Sequence, residues 1–191
     1  MNVTGPALLL FPGAGTGSDH PSLRAIEAAS PWPTVRADFV YRKAGRRSPD
    51  RPAVLIQAVV DEAEKIASPF LVLGGRSMGG RICSMAVAQG LVAAAGLVLV
   101  SYPLHPPGKR DQLRVDHFGA IDVPCLFVSG TRDPFGSREE LETHTAAISG
   151  PVTHEWFEGL GHDLKGADAG VASLVADWLT SLAPPRRDPQ D

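Results

Sequence analysis

The sequence of 191 residues, with 43% apolar and 20% charged residues, has the length and composition of one soluble globular domain. A total of 18 basic and 21 acidic residues gives a net charge of −3, which argues against a nucleic-acid or membrane-surface partner. The apolar stretch Leu91 to Val100 is too short to span a bilayer, and the first residues lack a signal-peptide pattern, so we expect a cytoplasmic protein.

The first part of the chain alternates predicted strands with predicted helices. An apolar run from Ala7 to Phe11 predicts the first strand, which leads through a glycine-rich loop to a helix capped near Ser18. The second strand is predicted over Thr34 to Phe39, before a polar, locally basic loop from Tyr41 to Arg51. Apolar residues at helical spacing then predict a helix whose buried face contains Leu55, Ala58, Val59 and Ile66.

Four more strands are predicted in the rest of the chain: Phe70–Leu73, Gly96–Ser101, Pro124–Ser129 and Val152–Phe157. Helices are predicted around them: Gly80–Gly90, a short helix within Arg110–Phe118, one that begins at the Ser137–Glu140 capping box, and an amphipathic helix from Val171 to Leu182. Cys83 and Cys125 fall in a predicted helix and a predicted strand, so we expect buried thiols and no disulfide framework.

This alternation predicts an α/β fold, a three-layer αβα sandwich around a mostly parallel sheet of about six strands. The segment after the fourth strand is too short for a cap domain. We expect a single domain over residues 1–183 and a disordered tail over residues 184–191. The loops that follow the strands of such a sheet share its carboxyl edge, where ligands bind.

The stretch Gly74 to Gly80 joins the third predicted strand to a helix and contains a Gly-x-Ser-x-Gly pattern centred on Ser77. This pattern is typical of a nucleophile elbow, in which a strained turn lifts a serine hydroxyl clear of the sheet edge. Gly75 and Gly79 stand where a Cβ would collide with neighbouring backbone. The chain contains 20 glycines, so the pattern alone is weak and a plain turn serine is the alternative.

Two further loops at the same sheet edge carry side chains that could activate this serine. Asp133 follows the fifth strand and precedes Pro134, which restricts its backbone, and His162 follows the sixth strand. A serine hydroxyl is a poor nucleophile unless a base, usually a histidine held by a carboxylate, takes its proton. A surface aspartate and a solvated loop histidine are the alternatives. The order serine, acid, histidine is the one found in α/β-hydrolases.

These motifs give the chain, from about Ala7 to Leu182, a resemblance to the α/β-hydrolase superfamily. Several segments look in particular like a small α/β-hydrolase-like family of testis-expressed and NSL-complex-subunit homologues, within a broader dienelactone-hydrolase-like neighbourhood: Pro12–Gly15 with Asp19–Pro21, Gly74–Gly80, Ser101–Gly108 and Gly130–Gly136. The resemblance implies that Ser77 is the nucleophile, His162 the general base and acid, and Asp133 the orienting carboxylate.

An oxyanion formed on an attacked carbonyl needs two backbone donors. The N–H of Met78, which follows the nucleophile, is one candidate, and the N–H of Ala14 in the first glycine loop is the other by position. The chain departs from its relatives here, because Pro12 stands where they usually have a histidine. How this loop is anchored is therefore open.

Substrate contacts are harder to assign. Arg76, His20 and His105 are candidates, with a hydrogen-bonded structural role as the alternative for each histidine. The basic loop from Arg42 to Arg51, together with Arg76 and Arg132, could attract an anionic ester, although a solvated surface loop is the simpler interpretation.

A dinucleotide site is a rival interpretation of the first glycine loop. Gly13 and Gly15 follow a strand, and Asp38 lies where a ribose-binding acid would stand, but Ser18 replaces the third glycine. That interpretation also leaves the serine, aspartate and histidine unexplained.

The sequence therefore predicts a serine hydrolase for small, soluble carboxylic esters or thioesters, with no cofactor. No metal is expected, because the six histidines show no ligand spacing. The expected partner is a small-molecule ester, with a homodimer as the candidate assembly. A non-catalytic binding or scaffold module of the same fold is the alternative.

Overall fold

The computed structural model describes residues 4–182, so the predicted domain boundary at residue 183 and the predicted tail over 184–191 lie outside the described residues. This part of the chain centres on a six-stranded sheet in which all neighbouring strands are parallel. The strands are β1 (Pro6–Phe11), β2 (Thr34–Arg36), β3 (Phe70–Arg76), β4 (Gly96–Val100), β5 (Cys125–Gly130) and β6 (Val152–Phe157). Their order across the sheet is β2-β1-β3-β4-β5-β6.

Helices cover both faces of the sheet. They are α1 (Pro21–Ala29), α2 (Val40–Lys43), α3 (Pro52–Ile66), α4 (Met78–Ala88), α5 (Arg138–Thr145) and α6 (Asp168–Leu182), with a short 3₁₀ helix over Phe118–Ala120. Apolar residues of α1 and α6 share one core cluster, and those of α3, α4 and α5 share the cluster on the opposite face. The sheet is thus the middle of three layers.

Strand β1 shows how the sequence builds this core. Leu8 and Leu10 belong to the cluster on the α1 and α6 side, whereas Leu9 and Phe11 belong to the opposite cluster. All four side chains are fully buried, because a strand covered on both faces buries every residue along it. The predicted fold class is confirmed. Residues 101–124, between β4 and β5, contain one 3₁₀ helix and no cap domain.

The chain reverses direction across the sheet at β1. It steps outward from β1 to β2, then returns past β1 to β3 and continues to β6. Such a reversal opens a crevice at the carboxyl ends of β1 and β3. The glycine-rich loop after β1 and the turn after β3 flank this crevice.

Two predicted element boundaries near the first glycine loop were wrong. Strand β2 ends at Arg36 rather than at Phe39, and α1 begins at Pro21 rather than near Ser18. The carboxylate of Asp38 accepts hydrogen bonds from the N–H of Ser18 at 2.7 Å and from its hydroxyl at 2.8 Å. Because Ser18 is used in this contact, the side chain of His20 caps α1 instead, accepting from the N–H of Ser22.

The helix predicted within Arg110–Phe118 is replaced, among the described residues, by a turn-rich segment that ends in the 3₁₀ helix. The N–H of Arg114 donates to the carbonyl of Leu104 at 2.7 Å, and its carbonyl accepts from the Tyr102 hydroxyl at 3.0 Å. These longer-range bonds occupy the backbone groups that a helix would have paired internally. The predicted loop from Tyr41 to Arg51 likewise contains part of the one-turn helix α2.

The two thiols are free and buried, as predicted. Burial raises the pKa of both, for Cys125 to about 12 and for Cys83 still further. Across residues 4–182 the structure has no helix with the length and apolar character needed to cross a membrane.

Candidate active site

Ser77 occupies a strained turn between β3 and α4. Its backbone angles are φ 51° and ψ −118°, a conformation that residues other than glycine rarely adopt. The neighbouring strand holds this turn, because the N–H of Ser77 donates to the carbonyl of Val100 at 2.8 Å. The helix continues from it, since the N–H of Arg81 donates to the carbonyl of Ser77 at 3.1 Å. The strand, turn and helix therefore form an elbow with the serine at its tip.

The two flanking glycines are required by close packing against β1. A Cβ added at either Gly75 or Gly79 would lie 2.2 Å from the carbonyl oxygen of Phe11. Side-chain atoms cannot approach backbone so closely. The sequence predicted a collision at these positions, and the structure identifies the end of β1 as the backbone involved.

Ser77, His162 and Asp133 form one hydrogen-bonded chain. The Oγ of Ser77 lies 2.9 Å from Nε2 of His162, and Nδ1 of His162 lies 2.8 Å from Oδ2 of Asp133. The aspartate is buried, and its other oxygen accepts from the N–H of Phe135 at 2.8 Å. The structure thus brings together three side chains from the ends of β3, β5 and β6, as the sequence predicted.

Two further contacts fix the histidine. The ring of Phe135 lies against that of His162, with 4.1 Å between centroids and an angle of 34° between planes. Nη2 of the buried Arg76 donates to the carbonyl of His162 at 3.0 Å. Burial lowers the pKa of Arg76, while the nearby charges of Asp163 and Asp133 oppose that effect. Ring and backbone of His162 are therefore both constrained.

The glycine-rich loop after β1 is anchored without a histidine at position 12. Asp38 binds Ser18, as described above, and Nη1 of Arg36 donates to the Ser18 carbonyl. The Tyr41 hydroxyl donates to the carbonyl of Ala14 at 2.8 Å. Side chains from β2 and the segment after it hold both ends of the loop, which resolves the open question about its anchorage.

This loop and the elbow enclose a cleft of ≈ 560 Å³. Its wall contains Ala14, Ser77, Met78 and His162, so both candidate oxyanion donors share one space with the serine hydroxyl. Met78 is the first residue of α4, and its N–H therefore has no acceptor within the helix. A carbonyl group bound in this cleft would therefore lie beside the Ser77 hydroxyl and the backbone of Met78 and Ala14.

A family model described as "Alpha/beta hydrolase domain" matches residues 4–178. The chain belongs to this alpha/beta hydrolase family. A sequence relative, Epoxide hydrolase A of Mycobacterium tuberculosis, is 35% identical over 63 residues, which are 32% of this chain. The match spans only 20% of the length of that relative.

Solved structures share the fold of this alpha/beta hydrolase at low sequence identity. Est1E from Butyrivibrio proteoclasticus is 15% identical, with a TM-score of 0.76 over 94% of this chain and 88% of the other. Dienelactone hydrolase from Anabaena variabilis is 16% identical, with a TM-score of 0.77 over 96% of this chain and 89% of the other. At such identities the likeness concerns the fold.

Of the three candidate substrate contacts, one lines the cleft and two lie outside its wall. Arg76 lines the cleft, although its guanidinium already has a partner in the protein. His20 and His105 do not line it. His20 caps α1, and His105 is 2% exposed, with Nδ1 at 2.8 Å from the Pro106 carbonyl and Nε2 facing Glu140 at 3.6 Å. These two histidines thus have structural contacts outside the cleft wall, and their candidate substrate role stays a prediction.

The basic loop contributes no arginine to the cleft wall, and its binding of an anionic ester stays a prediction. Arg46 forms a two-point ion pair with Asp50, at 2.6 and 3.0 Å, and the loop presents Pro49 and Asp50 to the cleft. The dinucleotide interpretation loses its acid as well, because Asp38 is bound to Ser18. Residues 4–182 contain no cluster of three or more histidine, cysteine, aspartate or glutamate side chains that could hold a metal ion.

Sequence reasoning missed two arginines in the cleft wall, Arg81 and Arg114. Arg81 lies four residues after Ser77, the N-cap of α4, so one helical turn brings Arg81 back to the side of the helix where the serine stands. That spacing was an available signal. Arg114 had no such signal, because its position depends on the contacts with Tyr102 and Leu104.

Proposed function

We propose that this alpha/beta hydrolase is a serine hydrolase that cleaves carboxylic esters or thioesters through an acyl-enzyme on Ser77. The observation that carries the proposal is the chain of hydrogen bonds from Ser77 through His162 to Asp133, at 2.9 and 2.8 Å. Both distances are within the range that proton transfer to a general base requires.

In the proposed first step, Ser77 Oγ attacks the substrate carbonyl carbon while Nε2 of His162 takes the hydroxyl proton. Asp133 accepts the Nδ1–H of His162, which keeps the Nε2 lone pair directed at the serine and stabilises the imidazolium that forms. His162 then returns the proton to the departing alcohol or thiol. In the second half of the reaction, His162 takes a proton from water while the water oxygen attacks the acyl carbon. The bond to Ser77 Oγ then breaks, the proton returns to Oγ, and the acid is released.

The negative charge on the carbonyl oxygen is assigned to the backbone N–H groups of Met78 and Ala14. Support comes from their place in the cleft wall beside Ser77 and from the position of Met78 at the N-terminus of α4. A helix N-terminus stabilises negative charge. The Tyr41 hydroxyl holds the Ala14 carbonyl, in the peptide that follows the donor N–H, and so restricts the loop around this donor before substrate binds.

The proposed substrates have short or water-soluble acyl groups. Residues 101–124 add no cap domain above the cleft, so nothing in this segment forms the tunnel that a long acyl chain needs. Acetyl and butyryl esters should therefore be hydrolysed with higher kcat/KM than esters of long-chain acids.

The decisive experiment is labelling with a fluorophosphonate probe, followed by mass spectrometry of the labelled peptide. We expect one label on Ser77, loss of the label in Ser77→Ala and slower labelling in His162→Ala. Ser181→Ala is the matched control, since Ser181 lies on α6 and its exposed hydroxyl donates to the Trp178 carbonyl outside the triad. A folded protein that resists the probe would contradict the proposal.

That negative result would favour the alternative, a binding or scaffold module that keeps the fold without the chemistry. The narrower resemblance to testis-expressed and NSL-complex-subunit homologues belongs with this alternative and is likewise a proposal. Retention of all three hydrogen-bonded side chains favours the enzyme, because a module has no physical need for a strained serine backed by a buried carboxylate.

A further inference from the structure

The wall of the active-site cleft carries an excess of positive charge. Arg76, Arg81 and Arg114 line it, and the carboxylate of Asp50 accompanies them. Asp50 is paired with Arg46 through both of its oxygens. Arg76 is engaged with the His162 carbonyl and has the charges of Asp133 and Asp163 nearby. The two remaining arginines are thus the cations without a counterion in this space.

Arg81 and Arg114 form none of the ion pairs found at up to 4.0 Å among residues 4–182. Both side chains are half-buried. Nε of Arg81 is buried and has no hydrogen-bond partner among residues 4–182. Nη1 of the same side chain contacts the weak acceptor Sδ of Met85 at 3.4 Å. A guanidinium that has lost water without gaining an anion is unfavourable unless something else binds it.

The two charges also act on each other. Burial lowers the pKa of Arg81, and the positive charge of Arg114 lowers it further. The charged form of Tyr102 would oppose this effect, but burial raises the pKa of that phenol so far that it stays neutral at physiological pH. The two guanidinium groups therefore repel each other, and a bound anion would offset this repulsion.

A neutral hydrogen-bond network holds the backbones of these two arginines. The Tyr102 hydroxyl donates to the Arg114 carbonyl at 3.0 Å, and the Ser84 hydroxyl donates to the Arg81 carbonyl at 2.8 Å. His117 connects the two hydroxyls, with Nε2 at 2.8 Å from Ser84 and 3.5 Å from Tyr102. Like charges are thus kept near each other by the fold, and their proximity is a built feature of the cleft.

We propose that Arg81 and Arg114 form an anion subsite that binds an ionised oxygen group, a carboxylate or a phosphate, on the substrate of Ser77. Two planar guanidinium groups match such groups with paired, charge-assisted hydrogen bonds. The subsite rests on the proposed function and narrows its substrate class to esters that carry a second, negatively charged group. In this proposal, anions are selected by α4 and the segment after β4 rather than by the basic loop.

Selectivity is tested with matched pairs of esters. Mono-4-nitrophenyl glutarate and 4-nitrophenyl valerate differ by a carboxylate on the acyl side. A second pair, 4-acetoxybenzoate and its methyl ester, differs by a carboxylate on the leaving-group side. In at least one pair we expect kcat/KM to favour the charged ester by about tenfold or more, the effect of a charge-assisted hydrogen bond.

Arg81→Gln and Arg114→Gln should each reduce the ratio of charged to neutral kcat/KM, and the double variant should abolish the preference. Arg81→Lys keeps the charge without the planar fork and should retain part of it. Arg24→Gln, an exposed arginine on α1, is the matched control and should keep the full ratio. Equal rates for both pairs in the unaltered enzyme, or a preference that survives in the double variant, would overturn the subsite.

A binding measurement separates failure of the subsite from failure of the hydrolase. Ser77→Ala is titrated by calorimetry with monomethyl glutarate, with dimethyl glutarate and with inorganic phosphate. Binding of monomethyl glutarate or phosphate, lost when Arg81→Gln and Arg114→Gln are added, supports the subsite even if no ester is hydrolysed, and shows which anion it takes. Ester hydrolysis with equally weak binding of all three ligands leaves the hydrolase intact and refutes the subsite.

Discussion

Asp133 uses its two carboxylate oxygens for different purposes. Oδ1 accepts from the N–H of Phe135 at 2.8 Å, and Oδ2 pairs with Nδ1 of His162 at 2.8 Å. The backbone bond fixes the direction of the carboxylate, so the oxygen that faces the histidine is determined by the turn after β5. This asymmetry determines what an amide at the same position would do.

We predict that Asp133→Asn abolishes most of the activity without unfolding the protein. The amide oxygen would keep the bond from Phe135, which leaves the NH₂ group facing Nδ1 of His162. The imidazole would then carry its proton on Nε2, directed at Ser77, and could not accept the serine proton. We expect kcat for a short 4-nitrophenyl ester to fall on the order of 10⁴-fold, with a smaller change in KM.

Asp163→Asn serves as the control for that experiment, because it is an exposed carboxylate one residue after His162. It should retain kcat close to that of the unaltered enzyme. Activity in Asp133→Asn at the level of this control would show that the aspartate does not orient the histidine in catalysis.

At the scale of the element, the glycine-rich loop shows where local sequence patterns stop being informative. Pro12 left the anchorage of this loop open, and the anchors are Asp38 and Tyr41, 20 and 27 residues from their partners. Each anchor lies beside β2, which pairs with β1 in parallel. No local pattern encodes these contacts, since they depend on the register of two strands.

Tyr41→Phe tests whether this anchorage matters for catalysis. The change removes the hydroxyl that holds the Ala14 carbonyl and leaves the buried ring in place. One hydrogen bond contributes about 1 kcal/mol, so the free energy of unfolding in urea should fall by roughly that amount. We expect kcat to fall as well, by less than the roughly 100-fold that loss of an oxyanion donor costs.

The informative comparison is between kcat and KM for one ester. If the loop positions a transition-state donor, the substitution lowers kcat and leaves KM nearly unchanged. If the loop only shapes the cleft, the substitution raises KM instead. Unchanged kcat in a variant with the expected loss of stability would show that the Tyr41 contact does not position the proposed Ala14 donor.

For the whole molecule, the alternation of strands and helices predicted the parallel sheet, its three layers and the absence of a cap, because each feature follows from periodicity and chain length. The meeting of Ser77, Asp133 and His162 followed from the rule that loops after parallel strands share one edge. Arg114 did not follow, since its place depends on side-chain bonds across the segment after β4. The structure of one folded chain tests neither a cytoplasmic location nor a homodimer, so both stay predictions.

Three half-buried histidines contribute to the way in which the stability of the whole molecule depends on pH. Burial lowers the pKa of His117 to about 4, assisted by the charge of Arg81 and opposed by Asp116, and burial also lowers the pKa of His20 and His154. Their unfolded pKa is about 6.5. Below that value the unfolded chain binds protons that the folded chain does not, so the free energy of unfolding decreases as pH falls from 6.5 towards 4.

His117→Gln tests the contribution of one histidine to this loss. The amide can still donate to the Ser84 hydroxyl but does not titrate, so the variant should lose less stability than the unaltered protein between pH 6.5 and 4.5. Urea unfolding at pH 7.5, 6.5, 5.5 and 4.5 measures how the free energy of unfolding changes with pH in both proteins, and above pH 7 the two curves should be parallel.

Carboxylates with lowered pKa, such as Glu62 and Glu140, affect stability in a more acidic range because their ordinary pKa is near 4.5. Equal slopes between pH 6.5 and 4.5 would show that His117 takes up its proton without opposing the fold, and the neutral network beneath Arg81 and Arg114 would then need another explanation.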